Sequence, residues 1–271
     1  MTDSPISDTA PPDWLEPLLT VAADTDARDI TSFLPPKDGG RPAAVLVLFG
    51  EGKDGPDVLL IERAAGLRKH AGQPAFPGGA LDPTDDGPVA AALREAEEEV
   101  GLDPSGVTVL ATLPELFLPV TGFVVTPVLG WWHRPSAVAP VDAAEVADVV
   151  RVPLDELSDP VNRVEVHHPA GRIGPGFAVR DLLVWGFTAG LLDALLRMGG
   201  WERPWQPAAI RTLDPAQLRD RVDRPLANGS MDRSSKAGMT NAANAANAET
   251  AVENDLDGEL GDSVHTDQEA G

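Results

Sequence analysis

Apolar runs of strand length recur along the middle of the chain. "AAVLVLFG" (43–50) and "DVLLIER" (57–63) are continuous apolar runs joined by a Gly/Asp/Lys turn, and they predict two buried strands. Residues 183–199, "LVWGFTAGLLDALLRMG", predict a helix that stops at Gly199 and Gly200. Further strand candidates are "VTVLATL", "FVVTPVLGWW", "VADVVRVP", "NRVEVHH" and "FAVRD". This pattern predicts an α/β (α+β) domain, a mixed sheet flanked by helices.

A helix predicted from about 88 to 100 is marked at both ends. Asp85 and Asp86 are in position to cap it, Pro88 suits its first position, and Gly101 suits the left-handed residue beyond its last turn. A narrow apolar stripe predicts that the helix packs on a sheet, and its members are Val89, Leu93, Ala96 and Val100.

The same helix carries carboxylates that repel one another. Glu95, Glu98 and Glu99 are three or four residues apart and so lie close together on the helix surface. A solvated acidic face is the ordinary interpretation of such a run. Glu98 and Glu99, however, stand in the last turn, where the helix dipole disfavours negative charge. Mg²⁺ or Mn²⁺, which take oxygen ligands, would relieve the repulsion, so a metal site is the alternative interpretation.

Residues 78–102, "GGALDPTDDGPVAAALREAEEEVGL", resemble the Nudix box, G-x5-E-x7-R-E-U-x-E-E-x-G-U, where U is a bulky apolar residue. The second half matches at Arg94, Glu95, Glu98, Glu99 and Gly101.

The first half of the box can be aligned in two ways. Counting from Gly79 puts Asp85 at the first acidic position and leaves one extra residue before Arg94. Counting back from Arg94 puts Asp86 there and Ala80 in the place of the glycine. The alignment with Gly79 and Asp85 is preferred, because one added loop residue costs little.

The segment before the box narrows the resemblance. "LLIERAAGLRKHAGQPAFPGG" (59–79) resembles the signature that precedes the box in the coenzyme A pyrophosphatase branch, which also tends to carry Asp in the box and one extra residue. "VWGFTAG" (184–190) resembles the C-terminal helix of that branch. The resemblance covers roughly residues 40–200 and implies the Nudix fold, a mixed sheet sandwiched between helices.

The resemblance also implies a chemistry. Glu95 and Glu99 would bind Mg²⁺ or Mn²⁺ directly, with the carbonyl of Gly78, while Glu98 would bind a metal through water or help activate the attacking water. The reaction would be hydrolysis of the diphosphate of coenzyme A or an acyl-coenzyme A to 3′,5′-ADP and 4′-phosphopantetheine or its acyl form. The structural positions of the box, where Arg94 would pair with Asp85 or a neighbouring carboxylate, would be Gly79, Asp85, Arg94 and Gly101.

A basic cluster precedes the helix in a chain with 43 acidic residues. Its members, Arg63, Arg68, Lys69 and His70, are candidates to hold the outer phosphates of the substrate. The alternative is that they pair with the acidic surface. Glu145, from a later loop, is a candidate further base or ligand, or an ordinary solvated glutamate.

Composition bounds the remaining possibilities. The 271 residues carry a net charge of −22, which disfavours nucleic acid and anionic membranes as partners, and contain no cysteine. No signal peptide or membrane span is predicted, so we expect a cytoplasmic protein acting on a small nucleoside diphosphate derivative of coenzyme A type, with a homodimer as a possible assembly. The predicted divisions are an N-terminal extension with a short helix (1–38), the Nudix domain (39–205), and a mostly disordered acidic tail (206–271).

Two other functions stay open. The box engages only a diphosphate, so ADP-ribose, NADH or nucleoside triphosphates are alternative substrates. A non-catalytic Nudix-fold sensor is less favoured, because a sensor need not keep a costly carboxylate cluster.

Overall fold

The structure, a computed structural model, describes residues 10–36, 39–66, 72–169, 171–206 and 210–213. The α-helices are α1 (Glu16–Ala22), α2 (Ala27–Ile30), α3 (Gly87–Val100), α4 (Leu154–Ser158) and α5 (Gly186–Met198). The first strands are β1 (Arg41–Gly52), β2 (Gly55–Arg63), β3 (Pro74–Ala75), β4 (Gly78–Ala80), β5 (Val107–Thr112) and β6 (Leu116–Leu118). The others are β7 (Phe123–Trp132), β8 (Val146–Pro153), β9 (Arg163–His167), β10 (Ile173–Val179), β11 (Leu182–Val184) and β12 (Ile210–Thr212).

The main sheet is mixed. Its strands run in the order β3-β2-β1-β7-β5, with β4 beside β1, β6 beside β7 and β8 beside β2. β1 and β7 pair in parallel along residues 41–49 and 123–131, and the other pairs are antiparallel. A smaller sheet has the order β11-β10-β9-β12. The predicted fold class, a mixed sheet between helices, is confirmed.

Alternation along β1 divides the core into two faces, because successive side chains of a strand point to opposite sides. The residues that face α1 and α5 are Ala43, Val45, Val47 and Phe49. Those that face α3 are Ala44, Leu46 and Leu48. Helix α3 therefore lies on one side of the main sheet and α5 on the other.

Two local predictions were wrong. The closing helix begins at Gly186 and not at 183, because Leu182–Val184 forms β11 and pairs with β10. The stretch 64–79, predicted as a loop, contains β3 and the start of β4. A short apolar run does not by itself distinguish a strand from a helical turn, and strands of two or three residues are defined by their partners.

Both ends of the described chain join the core. Leu15 and Leu18, in the predicted N-terminal extension, are fully buried against the α5 side of the sheet, and Trp14 Nε1 donates to Glu51 Oε1 at 2.7 Å. In the predicted tail, β12 pairs in parallel with β9, and Leu213 is buried beside it. Residues 214–271, which include the rest of that tail, lie outside the described residues. No helix in the described part of the chain combines the length and apolarity that crossing a membrane requires.

Candidate functional site

Helix α3 presents two of its glutamates to the protein interior. Its apolar side packs on the sheet through Ala91, Ala92, Ala96 and Val100. Glu95 and Glu99 lie on the buried side as well, with relative exposures of 1% and 3%, whereas the side chain of Glu98 is 53% exposed. The interpretation as a solvated acidic face is therefore wrong for Glu95 and Glu99 and describes only Glu98.

Two glycines of β4 make room for these carboxylates. The N–H of Gly78 donates to Glu99 Oε2 at 3.0 Å. Gly78 has φ of 156°, and a Cβ there would meet the carbonyl oxygen of Ala44 at 2.3 Å. A Cβ on Gly79 would meet Glu95 Oε1 at 2.4 Å. The "GG" of the sequence is thus a steric requirement of the buried glutamates and of β1.

Arg94 connects the helix to the loop before it. Its Nε and Nη2 bind the two carboxylate oxygens of Asp85 at 2.9 and 2.8 Å, in the two-pronged geometry that suits guanidinium and carboxylate. Its Nη1 donates to Glu95 Oε1 at 3.0 Å and to Glu98 Oε2 at 3.1 Å. One guanidinium therefore orients three carboxylates, and it lowers the pKa of Asp85 chiefly by hydrogen bonding.

The structure distinguishes the two candidate aspartates by their contacts. Asp85 binds Arg94, and its Oδ2 also accepts from the backbone N–H of Asp82 at 2.8 Å. Asp86 is the residue before the first turn of α3, but its side chain makes no capping hydrogen bond, contrary to the cap expected from sequence. Gly101 follows the helix with φ of 67°, in the left-handed region.

Burial raises the pKa of the Glu95 carboxyl and leaves one of its oxygens without a hydrogen bond from the described residues. Desolvation raises the pKa of Glu95 to about 7, although the charge and hydrogen bond of Arg94 act in the opposite direction. Its Oε2 is buried and has no hydrogen-bond partner among the described residues. A buried, unsatisfied carboxylate oxygen is costly in a folded protein, and such atoms are often found where a ligand binds.

Arg63 and Gln73 face the same helix from the sheet. The N–H of Arg63 donates to the carbonyl of Gln73 at 3.1 Å, so the two residues oppose each other beyond the pair Ile61–Ala75 and point to the α3 side. They are 6% and 4% exposed. Nε and Nη1 of Arg63 and Oε1 of Gln73 are buried and lack hydrogen-bond partners within the described ranges.

The electrostatic surroundings of Arg63 place it near the helix carboxylates. Burial lowers the pKa of the Arg63 guanidinium, and the charges of Glu99, Glu145 and Glu95 oppose that shift. Arg63 is thus a buried cation beside the acidic face of α3 and not a surface cation paired at random. The other members of the basic cluster, Arg68, Lys69 and His70, lie outside the described residues.

Gln73 was not singled out from the sequence. The available signal was its position: it is a polar residue two places before the buried pair Ala75–Phe76, directly opposite a candidate substrate-binding arginine. Recognising that signal requires the β2–β3 pairing, which the sequence did not predict.

Glu95 and Glu99 fit a divalent cation as part of its ligand shell. Within the ranges that the structure describes, no three acidic or histidine side chains are already gathered as a complete metal site. Mg²⁺, however, is commonly held by one or two carboxylates and completes its shell with waters and substrate phosphates. Two adjacent buried carboxylates, one with an orphaned oxygen, fit such a partial protein shell.

The chain is similar in sequence and fold to Nudix proteins. The family model described as "NUDIX domain" matches residues 40–173. The Nudix hydrolase NudL of Cronobacter sakazakii, itself named as uncharacterized, is 44% identical over 171 residues, which are 60% of this chain and 85% of that protein. NudL of Escherichia coli K12, also named as uncharacterized, is 42% identical over 162 residues, 57% of this chain and 81% of that protein. A solved Nudix hydrolase of M. smegmatis, RenU, aligns with a TM-score of 0.44 and 23% identity over 64% of this chain and 97% of its own.

Proposed function

The chain belongs to the Nudix hydrolase family, and we propose that it hydrolyses the diphosphate bond of coenzyme A or an acyl-coenzyme A with the help of Mg²⁺ or Mn²⁺. The products would be 3′,5′-ADP and 4′-phosphopantetheine or its acyl form. One observation carries the proposal: two buried carboxylates, Glu95 and Glu99, lie near a buried arginine, Arg63. Two nitrogen atoms of the Arg63 guanidinium have no hydrogen-bond partner among the described residues. Carboxylates favour a cation and the arginine favours a phosphate, so the site suits a metal-bound diphosphate.

In this proposal the protein supplies orientation and charge. Glu95 and Glu99 would hold the cation, with Gly78 contributing its carbonyl. When bound, the cation would neutralise charge on the diphosphate and make a bound water more acidic. Arg94 fixes the Glu95 carboxylate through its hydrogen bond to Oε1, so that Oε2 stays available.

Glu98 is suited to a different task from its neighbours. It is half exposed, and Arg94 holds one of its oxygens at 3.1 Å, so the other oxygen can accept a proton from a water that enters from solvent. We assign Glu98 the role of orienting or deprotonating the attacking water. Glu145, which lies close enough to Arg63 to affect its pKa, is a second candidate for this role.

Substrate recognition in the proposal begins at Arg63 and extends into the basic segment before Gln73. Arg63 would bind phosphate through its guanidinium, whose Nε and Nη1 lack hydrogen-bond partners among the described residues. Arg68, Lys69 and His70 would hold further phosphate, including a 3′-phosphate. Coenzyme A is preferred because the sequence 59–79 resembles the coenzyme A pyrophosphatase signature.

The test is a substrate panel. Purified full-length protein is incubated with coenzyme A, an acyl-coenzyme A, ADP-ribose, NADH and a deoxynucleoside triphosphate, each with Mg²⁺ or Mn²⁺, and products are separated by chromatography. Release of 3′,5′-ADP from the coenzyme A compounds alone supports the proposal. Preferred hydrolysis of ADP-ribose, NADH or the triphosphate would support a diphosphatase but reject coenzyme A as its substrate. Absence of hydrolysis of every compound would favour a non-catalytic sensor.

A further inference from the structure

A cavity of about 230 Å³ opens on the side of the main sheet opposite to α3. Its walls come from α2, the β6 region, the β9–β10 hairpin and α5. Leu116 and Leu118 of β6 belong to the core that α5 covers, whereas α3 packs in the other core. The cavity is therefore separated from Glu95 and Glu99 by the main sheet, and neither residue lines it.

The lining is mostly apolar, and two of its apolar side chains are exposed. Phe33 and Val120 are among the exposed large hydrophobic residues of the described chain, and both line this cavity. Trp185 forms part of the wall and is largely buried. Exposed apolar side chains gathered around one concave site are typical of a binding site for an apolar group.

One end of the lining is basic. The N–H of His168 donates to the carbonyl of Arg172 at 2.8 Å, so these residues oppose each other where the β9–β10 hairpin turns. They continue the opposed pair Val166–Gly174, and all four residues line the cavity. Opposed residues of an antiparallel pair point to the same face, which places the Arg172 side chain on the cavity side.

Arg172 is the arginine of the cavity lining. The chain has 43 acidic residues and 21 lysines and arginines, and the guanidinium of Arg172 forms no ion pair with any residue that the structure describes. An arginine that has no ion-pair partner among the described residues and lies beside an apolar cavity complements a ligand that has an apolar body and an anionic end.

From this arrangement we infer that the cavity is a second ligand site, which binds a small amphipathic anion. The ligand carries a carboxylate or phosphate held by Arg172 and an aliphatic chain that packs on Trp185 and Phe33. A volume of about 230 Å³ holds roughly eight water-sized groups at about 30 Å³ each, which corresponds to a medium-length chain. The inference does not depend on the hydrolytic reaction.

The test is calorimetric titration of the full-length protein, without metal or nucleotide, with octanoate, octyl phosphate and 1-octanol. We expect saturable binding of at least one of the two anions, with an affinity at least about tenfold higher than that of the alcohol. This difference corresponds to one charge-assisted hydrogen bond to arginine. The two anions distinguish a carboxylate from a phosphate end. No saturable binding of either, or equal binding of the alcohol, would overturn the inference.

Two variants locate the site. Gly190 lines the cavity, and a Cβ there would meet no atom within 4 Å, so Gly190→Leu fills the cavity from α5 without a clash at its first carbon and should abolish binding of all three compounds. Arg172→Gln should weaken the anions about tenfold and leave 1-octanol unchanged. Arg134→Gln, which alters an exposed arginine bound to Ser105 outside the cavity, is the matched charge control and should change nothing.

Folding of each variant is checked by its melting temperature. If Gly190→Leu does not fold, Phe33→Ser takes its place, because Phe33 is exposed and lines the cavity, so its loss should weaken every ligand without affecting the core. Unchanged binding in the cavity variant, or an equal loss in Arg134→Gln, would show that the anions bind elsewhere and would contradict the inference.

Discussion

Replacing Gly79 by alanine tests whether the position of the Glu95 carboxylate matters for hydrolysis. Gly79 is not in the left-handed region of backbone space, so alanine is allowed there by conformation. Its new Cβ would stand 2.4 Å from Glu95 Oε1 and 2.5 Å from Cδ, whereas Cβ contacts shorter than 3.0 Å essentially do not occur. The carboxylate must therefore move by at least 0.6 Å, the difference between 3.0 and 2.4 Å, and by 1.0 Å to reach an ordinary contact at 3.4 Å.

A displacement of this size should affect the reaction much more than the fold. Misplacing a catalytic group by about 1 Å can lower the rate about 100-fold, so we expect kcat/KM for coenzyme A to fall by about 30- to 100-fold, or roughly 2–2.7 kcal/mol. The side-chain torsions of Glu95 can absorb the shift at about 0.5–1.5 kcal/mol, so the free energy of unfolding should fall by no more than that.

The assay combines three measurements on the same samples. Release of 3′,5′-ADP gives kcat/KM, Mn²⁺ titration followed by electron paramagnetic resonance gives cation affinity, and urea denaturation gives stability. The control is Val161→Ala, because the side chain of Val161 is 77% exposed. This change should alter stability by no more than about 0.5 kcal/mol and leave hydrolysis unchanged.

Near-normal hydrolysis and Mn²⁺ binding by Gly79→Ala would refute the assignment of Glu95 as a metal ligand. Loss of hydrolysis together with a large loss of stability would instead refute the view that the Glu95 side chain yields while the backbone stays in place.

Three further changes probe the same region. Gly78→Ala should lower the free energy of unfolding by at least about 2 kcal/mol, because φ of 156° is strained for alanine and its Cβ would meet the carbonyl of Ala44; a loss below 1 kcal/mol in urea denaturation would contradict this. Glu99→Gln keeps an oxygen that can accept from the N–H of Gly78 but removes the charge, so turnover should fall at least about 100-fold with little change in melting temperature, and near-normal turnover would reject Glu99 as a ligand. Arg94 holds the pKa of Asp85 below its ordinary 3.8, so the pair stabilises the protein above that pH and loses this contribution as pH falls through the lower, folded-state pKa. Asp85→Asn should therefore lower the free energy of unfolding at pH 6 and make that free energy depend less steeply on pH below 4. The measurement is acid denaturation, and an unchanged pH dependence below 4 would count against the Asp85–Arg94 pair.

The longest elements of the fold were predictable from sequence. Strands β7 and β8 begin and end where the apolar runs do, and α3 begins at Gly87, one residue before the predicted start. Each of these segments carries its own signal, either a run rich in apolar residues or a proline and a glycine at the two ends.

The short strands were not predictable, and the site depends on them. β3 and β4 have two and three residues, and they exist because β2 and β1, which lie elsewhere in the sequence, supply their hydrogen-bond partners. β4 brings Gly78 to Glu99, and β3 brings Gln73 opposite Arg63. A pattern within the chain does not contain this information, because pairing and burial depend on residues that are distant in sequence.

The carboxylates of helix α3 and its surroundings outnumber the guanidinium groups near them. Two guanidinium groups, those of Arg94 and Arg63, face more carboxylates than they can neutralise, and these are Asp82, Asp85, Glu95, Glu98, Glu99 and Glu145. Burial disfavours the ionised form of Glu95 and raises its pKa to about 7, with smaller contributions in the same direction from the charges of Glu98 and Asp82, so a proton can reduce the excess charge. On the proposed assignment, a divalent cation would offset part of this excess negative charge and keep the Glu95 carboxylate ionised. Proton and cation would then be alternative occupants of one carboxylate, and relief of the repulsion among the glutamates of "LREAEEEVG" would contribute to the affinity for the cation.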